Sequence, residues 1–249
     1  MHKLLFTINA QIKGIILLLK PHLLFGFTQK LNLFLSNTIS LSKWIANQEK
    51  IKFNDFFKFK RDYNNREKLF EFVIESQNLK TKPIDYLEFG VCGGNSFFWW
   101  MENQGNLNSR FYGFDTFEGL PENWGIGFKK GDMAADIPLL NDSRGKFYKG
   151  LFQETLPGFL SEIKENTNTK VIHMDADLFS STLYALTAMA PLMKVGDIIL
   201  FDEFNVPNHE YFAYTCFTDS YYIKTKLIGA VNNYYQTAFV ITVIPGRSS

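Results

Sequence analysis

"LEFGVCGGN", Leu87 to Asn95, joins the end of an apolar run to the start of a helical one through an acid and three glycines. A glycine cluster between a strand and a helix lets another group approach the backbone closely, because glycine has no Cβ and adopts conformations closed to other residues. The preceding run, Ile84 to Val91, is short and apolar and reads as a strand. Asn95 reads as the cap of a helix that passes through Phe97, Trp99, Trp100 and Met101 and stops at Gly105.

Outward from this turn the chain alternates regularly. Asn65 to Gln77 places Leu69, Phe70, Phe72, Val73 and Ile74 among charges, a helix that covers a sheet face. Further strands are expected at Arg110–Asp115, Lys146–Gly150, Lys170–Asp175 and Asp197–Phe204, and helices at Glu154–Ile163, Ser180–Met193 and His209–Tyr222. Strands alternating with helices imply a doubly wound, mostly parallel α/β sheet. Two closing runs, Lys224–Ala230 and Gln236–Val243, lie too close for a crossover helix and should form an antiparallel hairpin at the sheet's edge. Seven strands result. Residues 117–145 interrupt the rhythm with glycines, two prolines and mixed charge, a length that suggests a functional loop or lid.

At 249 residues and 46% hydrophobic, the chain can bury one substantial core. A net charge of +1 leaves no electrostatic footprint for nucleic acid. Two cysteines, Cys92 and Cys216, form neither a disulfide framework nor a zinc spacing, and a reducing cytoplasm is the expected setting.

Residues 1–53 read as an N-terminal helical extension and 54–249 as the main domain. Leu4, Leu5, Ile8, Ile12, Ile15, Ile16 and Leu19 recur at helical spacing, with lysines at 3, 13 and 20; Pro21 separates this helix from a second one over Leu23 to Ile45. The polar interruptions argue against both a spanning helix and a signal peptide. Three readings stay open: packing on the domain, a second copy of the chain in a homo-oligomer, or peripheral contact of residues 1–45 with the inner face of a membrane.

In doubly wound sheets ligands bind beyond the carboxyl ends of the strands, where strand order reverses. Gly90, Gly93, Gly94, Asp115, Asp175, Asp177, Asp202 and Glu203 all fall at such ends. Asp115 lies about twenty residues beyond the glycines, where an acid accepts ribose hydroxyls. Asp175 and Asp202, with Glu203, offer hard oxygen ligands for magnesium, manganese or calcium, or else cap the following helices. His173 reads as a core histidine or a base; His209 and Glu210 begin a helix near the mouth of the site.

With these residues placed, the sequence resembles the class I S-adenosylmethionine-dependent methyltransferases, and within them the macrocin O-methyltransferase family, over residues 65 to 243. The carriers are "LEFGVCGGNS", "FYGFDTFEGLPENW", "GLFQETLP", "HMDADLFSSTLYAL" and "GDIILFDEF". The resemblance implies a Rossmann-like methyltransferase sheet, S-adenosylmethionine held by Glu88, Gly90, Gly93, Gly94 and Asp115, and magnesium held by Asp175, Asp202 and Glu203. It implies O-methylation of a small-molecule, sugar or glycan acceptor, with Asp175 as base and His173 and His209 behind it. Where that family ends its acid pair Asp-Asp-Tyr, this chain has Asp202-Glu203-Phe204. Two rival readings stay open: a metal-dependent glycosyltransferase using Asp175-Ala-Asp177 as a D-x-D motif, and a non-catalytic relative.

Overall fold

The computed structural model describes residues 2–48, 50–125, 127–163 and 167–247. Three helices lead: α1 (His2–Leu18), α2 (His22–Phe25) and α3 (Gln29–Ala46), with a 3-10 turn at Gly26–Thr28. The single helix expected from Leu23 to Ile45 is therefore split. Gly26 stands at the break, where a glycine costs a helix about 1 kcal/mol relative to alanine.

The remaining elements are β1 (Phe53–Asn54), α4 (Asn64–Ser76), β2 (Ile84–Phe89), α5 (Asn95–Asn103), β3 (Arg110–Asp115), β4 (Gly145–Lys149) and α6 (Phe152–Glu162), then β5 (Thr169–Met174), α7 (Phe179–Met189), β6 (Ile198–Phe201), α8 (Glu210–Tyr221), β7 (Lys224–Val231) and β8 (Gln236–Val243). They form an eight-stranded sheet ordered β1-β7-β8-β6-β5-β2-β3-β4. β8 runs antiparallel to β6 and β7; the other pairings are parallel. The strand beyond the expected seven is β1, whose two residues pair with Gly229 and Ala230. Two residues are too short to carry a period, so the pattern could not disclose it.

Alternation along the strands feeds two cores. Ile84, Tyr86, Phe111, Val171 and Leu200 face α4 and α5, where Leu69, Phe70, Val73, Phe97 and Trp100 are buried. Leu87, Phe89, Phe114, Ile172 and Phe201 face α6, α7 and α8. The end of α3 joins this second core. Leu41 is buried there, and the Trp44 ring lies within 6.4 Å of Phe204, Tyr211, Tyr214, Tyr234 and Phe239.

Strand order reverses between β2 and β5, and their exits are tied together. The Asp175 N–H donates to the Phe89 carbonyl at 2.9 Å, and the Gly90 N–H donates to the Phe114 carbonyl at 2.9 Å. Gly90 turns out of β2 with φ +98°, and a Cβ built on it would lie 1.8 Å from the Asp175 carbonyl oxygen. Gly94, at φ +82°, starts α5. The expected side-chain cap at Asn95 is absent, because the left-handed turn at Gly94 makes Asn95 already helical.

Gly90→Ala should cost about 3 kcal/mol or more, from left-handed backbone plus steric clash, read as a lowered urea midpoint. Gly93→Ala, with nothing within 4 Å of its built Cβ, should leave stability within about 0.5 kcal/mol.

Candidate active site

At the reversal point lies a cavity of about 310 Å³, within the range of about 300–1,000 Å³ common for small-molecule sites. Gly90 and Cys92 after β2, Asp115 at the end of β3, and Asp175 to Asp177 after β5 share its wall. Gly119 to Glu122 and Met133 of the β3–β4 connection close another side. That connection is folded on itself: the Leu120 N–H donates to the Asp132 carbonyl, and the Gly131 N–H to the Leu120 carbonyl, both at 2.9 Å. Glu122 accepts the Ser180 hydroxyl at 2.7 Å, and Trp124 lies edge-on to His209 at 6.5 Å.

Asp115 is heavily used by the backbone. Its Oδ2 accepts the N–H groups of Val91 and Cys92 at 2.7 Å each, and its Oδ1 accepts Phe117 N–H at 2.7 Å. A carboxylate has about four acceptor positions, so Asp115 retains one, on Oδ1, for a group in the cavity. Gly93, Gly94 and Glu88 stand behind this wall rather than on it. Glu88 is fully buried and accepts the Tyr86 hydroxyl at 2.7 Å. Burial pushes its carboxyl up to about 8, against the pull of that hydroxyl bond and of Arg66.

Tyr86 Oη, donating to Glu88, accepts from His173 Nδ1 at 2.8 Å. That places the histidine proton on Nδ1 and leaves Nε2 a lone-pair donor, buried and without a hydrogen-bond partner. Burial, then Arg66, holds His173 down to about 3, so it stays neutral. His173 is enclosed by Phe70 and Tyr86 and does not line the cavity. His209 sits at the start of α8 with Nδ1 accepting Phe179 N–H at 3.3 Å, outside the cavity wall.

Acids crowd around this point. Asp175, Asp202, Glu203 and Glu210 are each pushed above the usual carboxylate range by burial first, and Asp175, Glu203 and Glu210 also by neighbouring acids. Burial, Asp202 and Asp115 push Asp177 up to about 7. Arg66, from α4, answers them: its Nη1 is 3.3 Å from Asp202 Oδ2 and 3.9 Å from Asp175 Oδ2. Sequence reasoning overlooked Arg66, since a charge on a helix usually faces water. Its position three, four and seven residues before Leu69, Phe70 and Val73 was the available signal, because that spacing puts it on the buried stripe.

The donor atoms of His173, Asp175 and Asp202 lie within 4.8 Å of one another. Glu203, expected beside the two aspartates, does not join this group; its own N–H donates to Glu210 Oε2 at 2.8 Å, and its Oε2 has no partner. β6 ends at Phe201, and in the bend that follows Glu203 turns to Glu210 while Asp202 faces Arg66. The orphaned His173 Nε2 and Asp202 Oδ1, among concentrated negative charge, fit a divalent cation.

Comparison with known proteins bears on the fold and on the central segment of the chain. Residues 87–204 match a family model described as a methyltransferase domain. A Streptomyces olivaceus protein named 8-demethyl-8-(2,3-dimethoxy-alpha-L-rhamnosyl)-tetracenomycin-C 4'-O-methyltransferase is 26% identical over 158 residues, 55% of this chain and 59% of that relative. The crystal structure of CalS11, calicheamicin methyltransferase, superposes with a TM-score of 0.57 at 20% identity over 85% of this chain and 92% of its own. The O-methyltransferase NovP gives 0.54 at 22% identity over 72% and 79%. At these identities the structural likeness is one of fold. No glycosyltransferase stands among these relatives. Residues 87–204 thus match a methyltransferase domain, and the chain shares its fold with the methyltransferases CalS11 and NovP.

Proposed function

We propose that this chain transfers the methyl group of S-adenosylmethionine to a hydroxyl of a sugar or glycan acceptor. One observation carries the reading: the glycine turn with Asp115 and the acid cluster at Asp175 wall the same cavity. A cofactor seat and a proton acceptor thus face a shared space. The relatives' printed names add the acceptor class, since one acts on a rhamnosyl group and another is called a TDP-rhamnose 3'-O-methyltransferase.

When bound, the cofactor supplies an electrophilic methyl on a sulfonium. The chain's residues have three tasks. The Gly90–Gly94 turn admits the cofactor against the backbone, and the free Oδ1 position of Asp115 accepts one hydroxyl proton from it. The loop from Gly119 to Glu122, held down by the Ser180–Glu122 bond, excludes water. Asp175, on the cavity wall, takes the proton from the acceptor oxygen as that oxygen attacks. A divalent cation held by His173, Asp175 and Asp202 would lower the proton affinity of a nearby hydroxyl. Neutral His173 supplies a lone pair there.

The direct test is incubation with methyl-labelled S-adenosylmethionine and glycosides bearing free hydroxyls. Label on a sugar oxygen supports the reading; tight cofactor binding with no transfer to any glycoside refutes it. Asp115→Asn should weaken cofactor binding at least tenfold by calorimetry. Asp175→Asn should leave cofactor affinity within about twofold while lowering kcat by about 10²–10⁴.

Glu88 adds a pH signature. Its proton affinity is higher folded than unfolded, so the folded chain holds a proton that the unfolded chain has released. Stability should fall as pH rises from the ordinary carboxylate range to about 8 and level off above it. Urea midpoints at about pH 6 and about pH 8 should differ in that sense, and Glu88→Gln should reduce the difference while leaving the share of Asp177, whose carboxyl is pushed up to about 7.

A further inference from the structure

The most conspicuous surface feature is the leading arm. Leu5, Ile8, Ile12, Ile15 and Ile16 of α1 recur at i, i+3, i+7, i+10 and i+11 and share one exposed face. Leu23, Leu24, Phe25 and Phe27 continue the exposed apolar surface through α2 and the 3-10 turn, with Phe27 at 87% exposure. A contiguous patch on this scale marks an interaction surface.

Charge identifies the occupant. Residues 1–48 contain five lysines (3, 13, 20, 30 and 43) and no aspartate or glutamate, whereas the rest of the chain holds 21 basic and 25 acidic residues. An arm with only positive charge beside an exposed apolar face fits an anionic lipid surface, which rewards both at once. Arm-on-arm contact with a second copy would instead bring lysines against lysines with no acid in the arm to pair them. Among the described residues no single helix is long and apolar enough to cross a membrane, and one bent pair, α1 together with the α2–α3 segment at 55°, reaches that length.

The arm also leaves the domain at an informative place. Asn37 is the first buried residue among those described, and its Nδ2 donates to Asn208 Oδ1 at 2.9 Å. Asn208 belongs to the β6–α8 connection that carries Asp202, Glu203 and His209, so everything before Asn37 departs from the site-bearing end of the sheet.

We infer that α1 and α2, with the exposed first half of α3, lie in the surface of an anionic bilayer and hold the catalytic end of the sheet toward the headgroups. This rests on the methyltransferase reading only for calling that end catalytic. It narrows the acceptor to one presented at a lipid surface, such as a saccharide carried on a lipid.

The full chain should float with vesicles of phosphatidylcholine mixed with phosphatidylglycerol, float less as salt rises, and stay in solution with phosphatidylcholine alone. Replacing Lys3, Lys13 and Lys20 together by glutamine should weaken binding about a hundredfold, near fivefold per charge. Ile12→Glu with Ile16→Glu should abolish flotation while leaving S-adenosylmethionine affinity within about twofold, which separates failure of the arm from failure of the methyltransferase reading. On bound vesicles, hydrogen exchange should slow at residues 205–208 and in the 117–144 connection, but not at residues 105–109 at the opposite end. Absence of flotation with anionic vesicles overturns the inference. So does an arm-dependent dimer in sedimentation with no vesicle affinity, or slowed exchange at 105–109 instead.

Discussion

The site depends on how closely two strand exits approach. Gly90 and the Asp175 carbonyl lie where no side chain could fit between them, and the backbones of β2, β3 and β5 are laced at that level by the Gly90–Phe114 and Asp175–Phe89 hydrogen bonds. This contact brings the glycine turn to within one residue's reach of the acids that follow β5. Without it, β2 and β5 could remain neighbours, yet their exits would open as two clefts rather than one cavity. The glycine is thus a constraint on the distance between two walls of the cavity, beyond its role in the turn.

A second constraint is electrostatic. Glu88, Asp175, Asp177, Asp202, Glu203 and Glu210 are gathered at one end of the sheet, each with a raised proton affinity. Arg66 faces Asp175 and Asp202, and these acids, with Glu88, hold its proton more firmly although burial opposes its charge. A cluster of this kind is costly unless protonated or balanced by cations. The Glu88–Tyr86–His173 relay shows how the fold handles one member: the acid is kept internal and used to fix the histidine tautomer, which leaves Nε2 turned toward the two aspartates.

Much of the fold was legible because it follows from short-range periodicity. The alternation of apolar runs placed most strands and helices within a residue or two, although the strand read to Phe204 ends at Phe201 and the helix read to Met193 ends at Met189, and the spacing of the last two strands revealed their antiparallel pairing. What escaped was set by tertiary contact. β1 exists only because Gly229 and Ala230 offer it a partner, and the split at Gly26 lies inside an unbroken amphipathic pattern. In the site, Gly90, Asp115 and Asp175 were legible because the chemistry of doubly wound sheets sits at strand ends. Arg66 and Tyr86 were not, since one comes from a helix read as covering and the other lies mid-strand. The choice of His173 over Glu203 beside the aspartates depends on which way each side chain points, a matter of register that neighbouring letters do not display.

Asp115 joins two segments through one carboxylate: Oδ2 gathers the amides of Val91 and Cys92, and Oδ1 gathers that of Phe117, where the long connection begins. A displacement at the glycine turn is therefore carried through Asp115 to the root of the β3–β4 connection, and the reverse holds with equal strength. Linkage makes such an influence reciprocal. A ligand that shifts the Phe117 end of this bridge would be felt at the Val91–Cys92 end through the same coupling free energy, so the two sides of the cavity are tied by a single side chain.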